Sequence, residues 1–481
     1  MRKKIKNIKK TKPVQKSEIK VSPFMPLTPG GWRGQKLAPI GISSIDNFKS
    51  IKKAVFGTSK INLIYGKNSS GKSSIIHSML FTKPDYQGGL RYDGLLPLFF
   101  NERNNFLGNY GGTDSTFDLG NFSQILNASA KKGELVELSY SDFDGNNLKS
   151  SINMSFGESA AGMLLHFIDF KKEHEYQREF FKVDFEGILS LTPSMTPARY
   201  NPNIPFYNLN IDDEKKFFLN KKKLKESLIR SLYFAPGFVF IDDSKKTKED
   251  LKELEVFVSI IREFIESFNT RVIHIPPIRS IPGRFNVDPN DPVQNHLLET
   301  LQNESYPIKK LNTWLGNLGI DYEIGIESGS NIVGGNYDVL YLVSKNVKKK
   351  RLSFHDVGKG LSQVLPILLV GAAERNTTIL VEQPEIHLHP KMQSDLAELF
   401  SDTDNNNRWF IETHSENLLF RLQKKVREGD LSADDISIIY VDIAKNGNAE
   451  VKNIFLQDSG KLTEPFPKGF FDVGLNDLIP S

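Results

Sequence analysis

The sequence predicts an α/β fold with a mixed sheet and a large helical insertion. The first observation that supports an α/β fold is the apolar run Ile61–Tyr65, which precedes a glycine-bearing loop and the start of a helix. Strand and helix patterns then return at residues 377–413. Between them, residues 165–270 are lysine-rich, and their apolar residues recur at helical intervals, as in Leu251–Phe268. We therefore expect the two ends of the chain to form one α/β head.

The loop after the first of these strands fits the phosphate-binding pattern G-x-x-x-x-G-K-[ST] at Gly66, Gly71, Lys72 and Ser73. Its small residues let backbone N–H groups surround phosphate oxygens, and the following helix adds its positive end. We expect Lys72 to neutralise the β- and γ-phosphates and Ser73 to bind Mg²⁺. A plain turn before a helix fits the flanking elements less well. The predicted nucleotide-binding loop comprises Gly66, Lys67, Asn68, Ser69, Ser70, Gly71, Lys72, Ser73 and Ser74.

Size and composition limit the classes of protein to which this chain can belong. The 481 residues are 39% hydrophobic, which allows a large core and two or three lobes. The absence of cysteine excludes disulfides, Fe–S clusters and thiolate zinc sites, and fits a cytoplasmic protein. The longest apolar run, Val364–Ala373, is too short to span a membrane, and no hydrophobic core follows the basic residues 1–20. We therefore predict no membrane partner.

Charge is unevenly distributed along the chain. The net charge is +4, but residues 1–20 contain nine Lys or Arg and a single Glu, so the rest is net acidic. The body is therefore not a basic nucleic-acid-binding domain on charge alone. For the tail we favour a solvated, disordered segment over a contact with nucleic acid or an acidic partner. The lysine runs at 221–223 and 348–351 are interpreted as solvated surface, with a phosphate-backbone contact as the alternative.

Changes in composition suggest five regions. They are a basic disordered tail and linker (1–40), the first part of the head (41–160), a mostly helical insertion lobe (161–330), the second part of the head (331–430) and a C-terminal β hairpin and tail (431–481). Two hairpins are predicted from alternating strands around polar turns, at 135–156 and at 435–456.

A phosphate loop needs an acidic residue at the end of a neighbouring strand. The strand Ile379–Val381 leads to Glu382, which we expect to bind Mg²⁺ through a water. Gln383 follows where many ATPases place a carboxylate, and a glutamine can orient a water but cannot take its proton. Either Glu385 is the base, or hydrolysis is slow.

Histidines occur at three positions after these strands. His414 ends a strand near the expected γ-phosphate, although a histidine after a strand is more often structural. His387 and His389 lack a third ligand at suitable spacing, so we interpret them as structural rather than as a metal pair.

The segment Asp356–Ile367 is a second phosphate candidate, a glycine-bearing loop that enters an apolar helix. We predict Ser362 as the N-cap and Pro366 in the first turn. A helix start that carries a serine is another anion site. One chain with two such sites suggests that two chains enclose two nucleotides, each phosphate loop facing the serine loop of the other chain.

Together these motifs resemble the ABC-type ATPases of the RecF/SMC/OLD group. The resemblance is greatest to the stand-alone prokaryotic AAA-family ATPases with a C-terminal domain of unknown function, and it covers about residues 42–475. The segments that carry it occur in one order: Asn47–Ile51, Gly66–Ser74, Ile275–Ser280, Gly358–Gln363, Glu382–Pro390, Glu412–Asn417 and Pro465–Asp472.

The resemblance implies an ABC-type P-loop ATPase head with an antiparallel β subdomain, and it implies ATP and Mg²⁺ as cofactors. Gly66–Ser73 would be the Walker A motif and Glu382 the Walker B acid, while His414 would be the switch histidine. Gly360, Ser362 and Gln363 would form the signature loop, and Gln124 would be a Q-loop residue near the metal. The signature departs from the full transporter form, and Gln383 replaces the usual catalytic carboxylate.

The function implied is an ATP-hydrolysing, ATP-gated dimerisation switch that forms a homodimer or higher homo-oligomer. The resemblance suggests DNA transactions or anti-phage defence with a separate effector, a nuclease or a toxin. Residues 416–481 lack an acidic cluster of the Toprim type, so we do not expect this chain to cut DNA alone. The alternative is a slow or non-hydrolysing ATP-sensing scaffold that sequesters a partner protein. A transporter subunit fits poorly because of the large insertion and the altered signature.

Overall fold

The computed structural model describes the chain in separate stretches. They are residues 41–81, 106–109, 116–120, 122–144, 147–159, 162–173, 178–188, 206–212, 272–277, 279, 305–330, 336–346, 351–353, 356–467 and 470–471. The predicted tail and linker at 1–40 and the amphipathic segment at 251–268 lie outside these residues.

Eighteen strands and six α-helices occur in the described residues. The strands are β1 Gly41–Phe48, β2 Ile51–Val55, β3 Ile61–Gly66, β4 Phe106–Asn109, β5 Thr116–Gly120, β6 Val136–Asp144, β7 Asn147–Ser159, β8 Gly162–Glu173, β9 Arg178–Ile188, β10 Phe206–Asp212, β11 Val272–Ile275, β12 Tyr322–Ser330, β13 Asn336–Ser344, β14 Arg351–Leu352, β15 Thr378–Glu382, β16 Arg408–Glu412, β17 Ile436–Ile443 and β18 Ala449–Phe455. The helices are α1 Lys72–Phe81, α2 Phe122–Ile125, α3 Ser305–Asn317, α4 Lys359–Ala373, α5 Pro390–Phe400 and α6 Glu416–Glu428.

The largest described sheet has thirteen strands in the order β10-β9-β8-β7-β6-β1-β2-β18-β17-β3-β16-β15-β11. The strands from β17 to β11 are all parallel. They are apolar and largely buried, as expected for parallel strands that are covered on both faces. Since parallel strands share one carboxyl edge, the ends of β3, β16 and β15 lie side by side there. This edge brings together the phosphate loop and two acidic strand ends.

The other half of the large sheet is antiparallel, from β1 through β6 to β10. A separate antiparallel sheet contains β12, β13 and β14. The predicted α/β class with a mixed sheet and antiparallel β structure is therefore confirmed. The predicted hairpins also form, as β6–β7 and β17–β18.

The mostly helical lobe predicted for 161–330 is wrong for its described first part. Residues 162–188 and 206–212 contain the strands β8, β9 and β10, which extend the antiparallel half of the sheet. Phe and Ile are frequent in these segments and favour strands, whereas the helical spacing behind the prediction occurs further along the chain, at Leu251–Phe268. Helix α3 is the helical part of the lobe that the described residues contain.

The core is formed where α4, α5 and α6 cover the parallel strands. Trp409 of β16 packs edge-on against Phe400 of α5, with 5.0 Å between the ring centroids. On β3 and β17, Tyr65 and Tyr440 contact an aromatic segment near the C-terminal end, which comprises Phe466, Phe470 and Phe471. None of the helices in the described stretches is both long and apolar enough to cross a membrane.

Candidate nucleotide-binding site

The predicted strand–loop–helix unit is present, with the loop 67–71 between β3 and α1. Gly66 has a φ of 155° and Gly71 a φ of 101°. A Cβ at Gly66 would collide with the backbone oxygen of Val441, and one at Gly71 would collide with Oγ of Ser50. The loop path therefore requires glycine at both positions.

Lys72 is only 4% exposed, and its ammonium group lies within the loop. Its Nζ donates to the backbone oxygens of Gly66 (3.0 Å) and Lys67 (2.8 Å). Burial lowers the pKa of Lys72, and the nearby charge of Glu412 partly opposes this. Oγ of Ser70 is buried and has no hydrogen-bond partner among the described residues. A buried cation and an unsatisfied hydroxyl in a loop of this shape fit a phosphate ligand.

Ser73 contacts Glu412, a site residue that the sequence analysis does not predict. Its Oγ donates a hydrogen bond of 2.9 Å to Oε2 of Glu412, the last residue of β16. The other carboxylate oxygen, Oε1, lies 3.9 Å from Nζ of Lys72. Burial, followed by the charge of Glu382, raises the pKa of Glu412. The available signal was its position, because Glu412 ends a buried strand just as Glu382 does.

Glu382, the predicted Walker B acid, ends β15 and is bonded to His274 of β11, with 2.7 Å between Oε1 and Nε2. Burial alone would raise the pKa of Glu382, but His274, His77 and Arg279 together lower it. Hence the carboxylate stays ionised. No cluster of three or more acidic, His or Cys side chains suited to a metal occurs in the described part of the chain. Mg²⁺ at phosphate loops is bound by a hydroxyl, phosphates and waters, so Ser73 with carboxylates behind it still fits that ion.

The turn after β15 holds His414, the predicted switch histidine, in place. Glu385 accepts hydrogen bonds from Oγ1 of Thr413 (2.8 Å) and from the backbone N–H of His414 (2.7 Å). Gln383 has a φ of 45°, and its backbone N–H donates to the oxygen of Glu412 at 2.7 Å. Burial and the charge of Lys72 lower the pKa of His414, so it is neutral near pH 7. Both oxygens of Glu385 are engaged, which makes it better suited to positioning His414 than to accepting a proton from water.

Helix α4 begins earlier than predicted. It starts at Lys359 with Gly358 as the N-cap, so the N-cap prediction for Ser362 is wrong. Pro366 lies inside the helix rather than in its first turn. At this position the proline leaves the backbone oxygen of Ser362 without its helical hydrogen bond. The hydroxyl of Ser362 is buried and donates to the oxygen of Lys359 at 2.9 Å.

Gly360 lies in the first turn of α4, close to the loop after β15. A Cβ there would be 2.7 Å from the backbone oxygen of His387. His389 in the same loop caps α5, its Nδ1 accepting from the N–H of Lys391 at 3.3 Å. The capping contact supports the structural interpretation of His389.

Arg279 connects the start of α4 to the end of β15 and was not predicted as a site residue. This buried guanidinium donates to the backbone oxygens of Gln363 (3.2 Å), Glu382 (2.6 Å) and Gln383 (3.0 Å). Nε2 of Gln363 donates in return to the oxygen of Arg279 at 3.2 Å. Burial lowers the pKa of Arg279 to about 10, so it is charged at neutral pH.

Gln124 lies exposed on α2, beside the turn that joins β1 to β2. In that turn, the N–H of Lys49 donates to the oxygen of Ile125 at 2.6 Å. Oγ of Ser50, in the same turn, lies 3.2 Å from Oγ of Ser74 on α1. The structure therefore joins the segment of Gln124 to the phosphate loop through this turn.

The fold and the site define a P-loop nucleotide-binding protein. The family described as AAA ATPase domain matches residues 43–419, and the chain belongs to that family. An ATP-binding ATPase domain is thereby confirmed. No curated protein sequence matches the chain.

Solved structures with limited similarity include heads of SMC proteins. An SMC head bound to the C-winged helix domain of ScpA is 11% identical, with a TM-score of 0.40 over 88% of this chain and 99% of that one. The SMC head domain from Thermotoga maritima is 10% identical, with a TM-score of 0.34 over 86% and 98%. An SMC head with an extended coiled coil, bound to the C-terminal domain of ScpA derived from Pyrococcus furiosus, is 13% identical, with a TM-score of 0.39 over 86% and 96%.

Proposed function

We propose that the protein is an ATP-hydrolysing switch in which ATP binding joins two heads and hydrolysis separates them. The observation that carries this is the buried Lys72 inside the phosphate loop, next to a Ser73 hydroxyl bonded to Glu412. The ammonium group suits the β- and γ-phosphates, and the hydroxyl suits Mg²⁺. When bound, Mg²⁺ would neutralise charge on the phosphates.

Turnover is expected to be slow. Gln383 cannot accept a proton, and both oxygens of Glu385 already bond Thr413 and His414. Gln383 and His414 can position a water. The chain, however, has no free carboxylate at the usual position to accept the proton from that water. The alternative function, an ATP-sensing scaffold that sequesters a partner protein, is favoured by this same feature.

The joining of two heads would use the start of α4. Gly358 and Lys359 are exposed there, whereas Ser362 is only 3% exposed. A partner nucleotide would therefore first meet the helix start and the Lys359 ammonium, and would reach Ser362 only if the first turn of α4 shifted. DNA and a separate effector, a nuclease or a toxin, remain proposed partners in defence or DNA transactions, and a cytoplasmic location remains part of the proposal.

The proposal is tested by changing Lys72 to Ala and titrating a fluorescent ATP analogue. Loss of a charge-assisted hydrogen bond to phosphate costs about 1.5–3 kcal/mol, so affinity should fall roughly 10- to 100-fold. Steady-state ATP turnover of the wild type should exceed that of the variant. The matched control is Lys60→Ala, a lysine just before β3 at the opposite end of this strand, where it pairs with Asp435 at 2.8 Å. Equal ATP binding by the wild type and Lys72→Ala would contradict the proposal.

A further inference from the structure

Two glutamates end neighbouring strands at the carboxyl edge of the parallel sheet. Glu382 on β15 and Glu412 on β16 are register partners, so their Cα atoms lie side by side. Glu412 lies one strand from the phosphate-loop strand, because β16 pairs directly with β3. Glu382 lies two strands away, and with neighbouring strands about 4.8 Å apart its Cα is about 10 Å from β3. Position in the sheet therefore brings Glu412 closer to the phosphate loop.

The side-chain contacts also place Glu412, rather than Glu382, next to the phosphate loop. Glu412 accepts the Ser73 hydroxyl at 2.9 Å, and its second oxygen is 3.9 Å from Nζ of Lys72. Glu382 is instead bonded to His274 at 2.7 Å, on the side of β11, away from β3. Its charge therefore has a nearby partner outside the phosphate loop.

The hydrogen bond from Ser73 has a specific chemical consequence. A hydroxyl has a single proton and two lone pairs, so a serine that donates its proton to a carboxylate turns its lone pairs elsewhere. A hydroxyl oriented in this way is arranged to bind a cation. Such outer partners orient metal ligands, and their loss typically lowers metal affinity 10- to 100-fold.

We propose that Glu412, rather than Glu382, is the carboxylate through which the chain orients Ser73 and binds Mg²⁺ with the nucleotide. This inference rests on the proposed ATP binding and assigns its metal-site acid. Glu412 is a positioning residue in this role, since it acts through the Ser73 hydroxyl.

The test compares Glu412→Gln with Glu382→Gln, two isosteric changes at matched register. Binding of Mn²⁺ in the presence of a non-hydrolysable ATP analogue is measured by electron paramagnetic resonance. Binding of the analogue is titrated separately with metal and with EDTA. Glu412→Gln should weaken Mn²⁺ binding about 10-fold, and more than Glu382→Gln does. Analogue binding in EDTA is measured for both variants, so that any change in nucleotide affinity is subtracted from the change in Mn²⁺ affinity.

A double-mutant cycle with Ser73→Ala shows whether Glu412 acts through that hydroxyl. With Ser73 already changed, Glu412→Gln should weaken Mn²⁺ binding no further than about twofold, because the partner hydroxyl is gone. The inference is overturned if Glu412→Gln binds Mn²⁺ like the wild type, if Glu382→Gln has the larger effect, or if the effects of Ser73→Ala and Glu412→Gln simply add. A wild type that binds no analogue in EDTA or with metal would instead overturn the proposed function itself.

Discussion

His77 is a buried titratable residue next to the site. It lies on α1, and its Nδ1 is 3.3 Å from Nζ of Lys49. Burial and the charge of Lys49 lower the pKa of His77 to about 4, and the charge of Glu382 opposes this only in part. The helix that carries the phosphate loop therefore holds a neutral imidazole across the physiological range.

This predicts an acid-sensitive contribution to stability from a single residue. The folded pKa is about 4 and the ordinary value is 6.5, so the unfolded chain binds the proton first as pH falls. The stability from neutral His77 is complete above pH 6.5 and is lost as pH falls toward 4, by about 2 kcal/mol at pH 5. The melting temperatures of wild type and His77→Gln are compared at pH 5 and pH 8. We expect the melting temperature of the variant, relative to that of the wild type, to be higher at pH 5 than at pH 8. The same difference in melting temperature at both pH values would contradict the assignment.

Single residues also show what sequence could and could not predict. The loop Gly66–Ser73 could be predicted because its chemistry depends on neighbours in the chain. The contact of Glu412 with Ser73 could not, because the two residues are 339 positions apart and only the strand order brings them together. Arg279 lies in a segment that carries the family resemblance, but its contacts have no sequence signature, since its bonds run to backbone oxygens.

At the scale of elements, strands with alternating residues and polar turns were predicted well, as in β6–β7 and β17–β18. The prediction is wrong where the composition of a long segment replaces local pattern, as in β8 and β9, which contain only three lysines between them. The start of α4 was misplaced because Pro366 was assumed to require a first-turn position. Tertiary packing tolerates the proline there, since α4 is buried along most of its length.

The start of α4 and the end of β15 form one unit through Arg279, and this predicts the effect of Arg279→Lys. A lysine keeps the charge but cannot bond Gln363 and Glu382 in the same fork geometry. Loss of one charge-assisted bond to a buried oxygen costs about 2 kcal/mol, so the melting temperature should fall by a few degrees. ATP turnover should fall as well, because Gln383 loses its anchor. The control is Arg427→Lys, at an exposed position of α6. Equal melting temperatures of the two variants would argue against this role.

At the scale of the whole molecule, the proposed dimer depends on two surfaces that lie apart in sequence, the phosphate loop and the start of α4. Light scattering should show a doubled mass with a non-hydrolysable ATP analogue and a single chain with ADP. Lys359→Glu should prevent this doubling, because a negative charge at the helix start repels the partner's phosphates. Its analogue affinity as a monomer should stay unchanged. A single-chain mass for the wild type in both nucleotides would exclude the dimer.

The placement of β3 between β16 and β17 has a consequence for the order in which the protein is made. The ribosome completes β3 and its loop early, but the two strands that flank β3 are synthesised only after residue 407. At about 5–20 residues per second, this delay is on the order of tens of seconds. During that time the phosphate loop has neither Glu412 nor the contact with Val441 that defines its path. We therefore expect a nascent chain to begin to bind ATP only when nearly all of the head has left the ribosome.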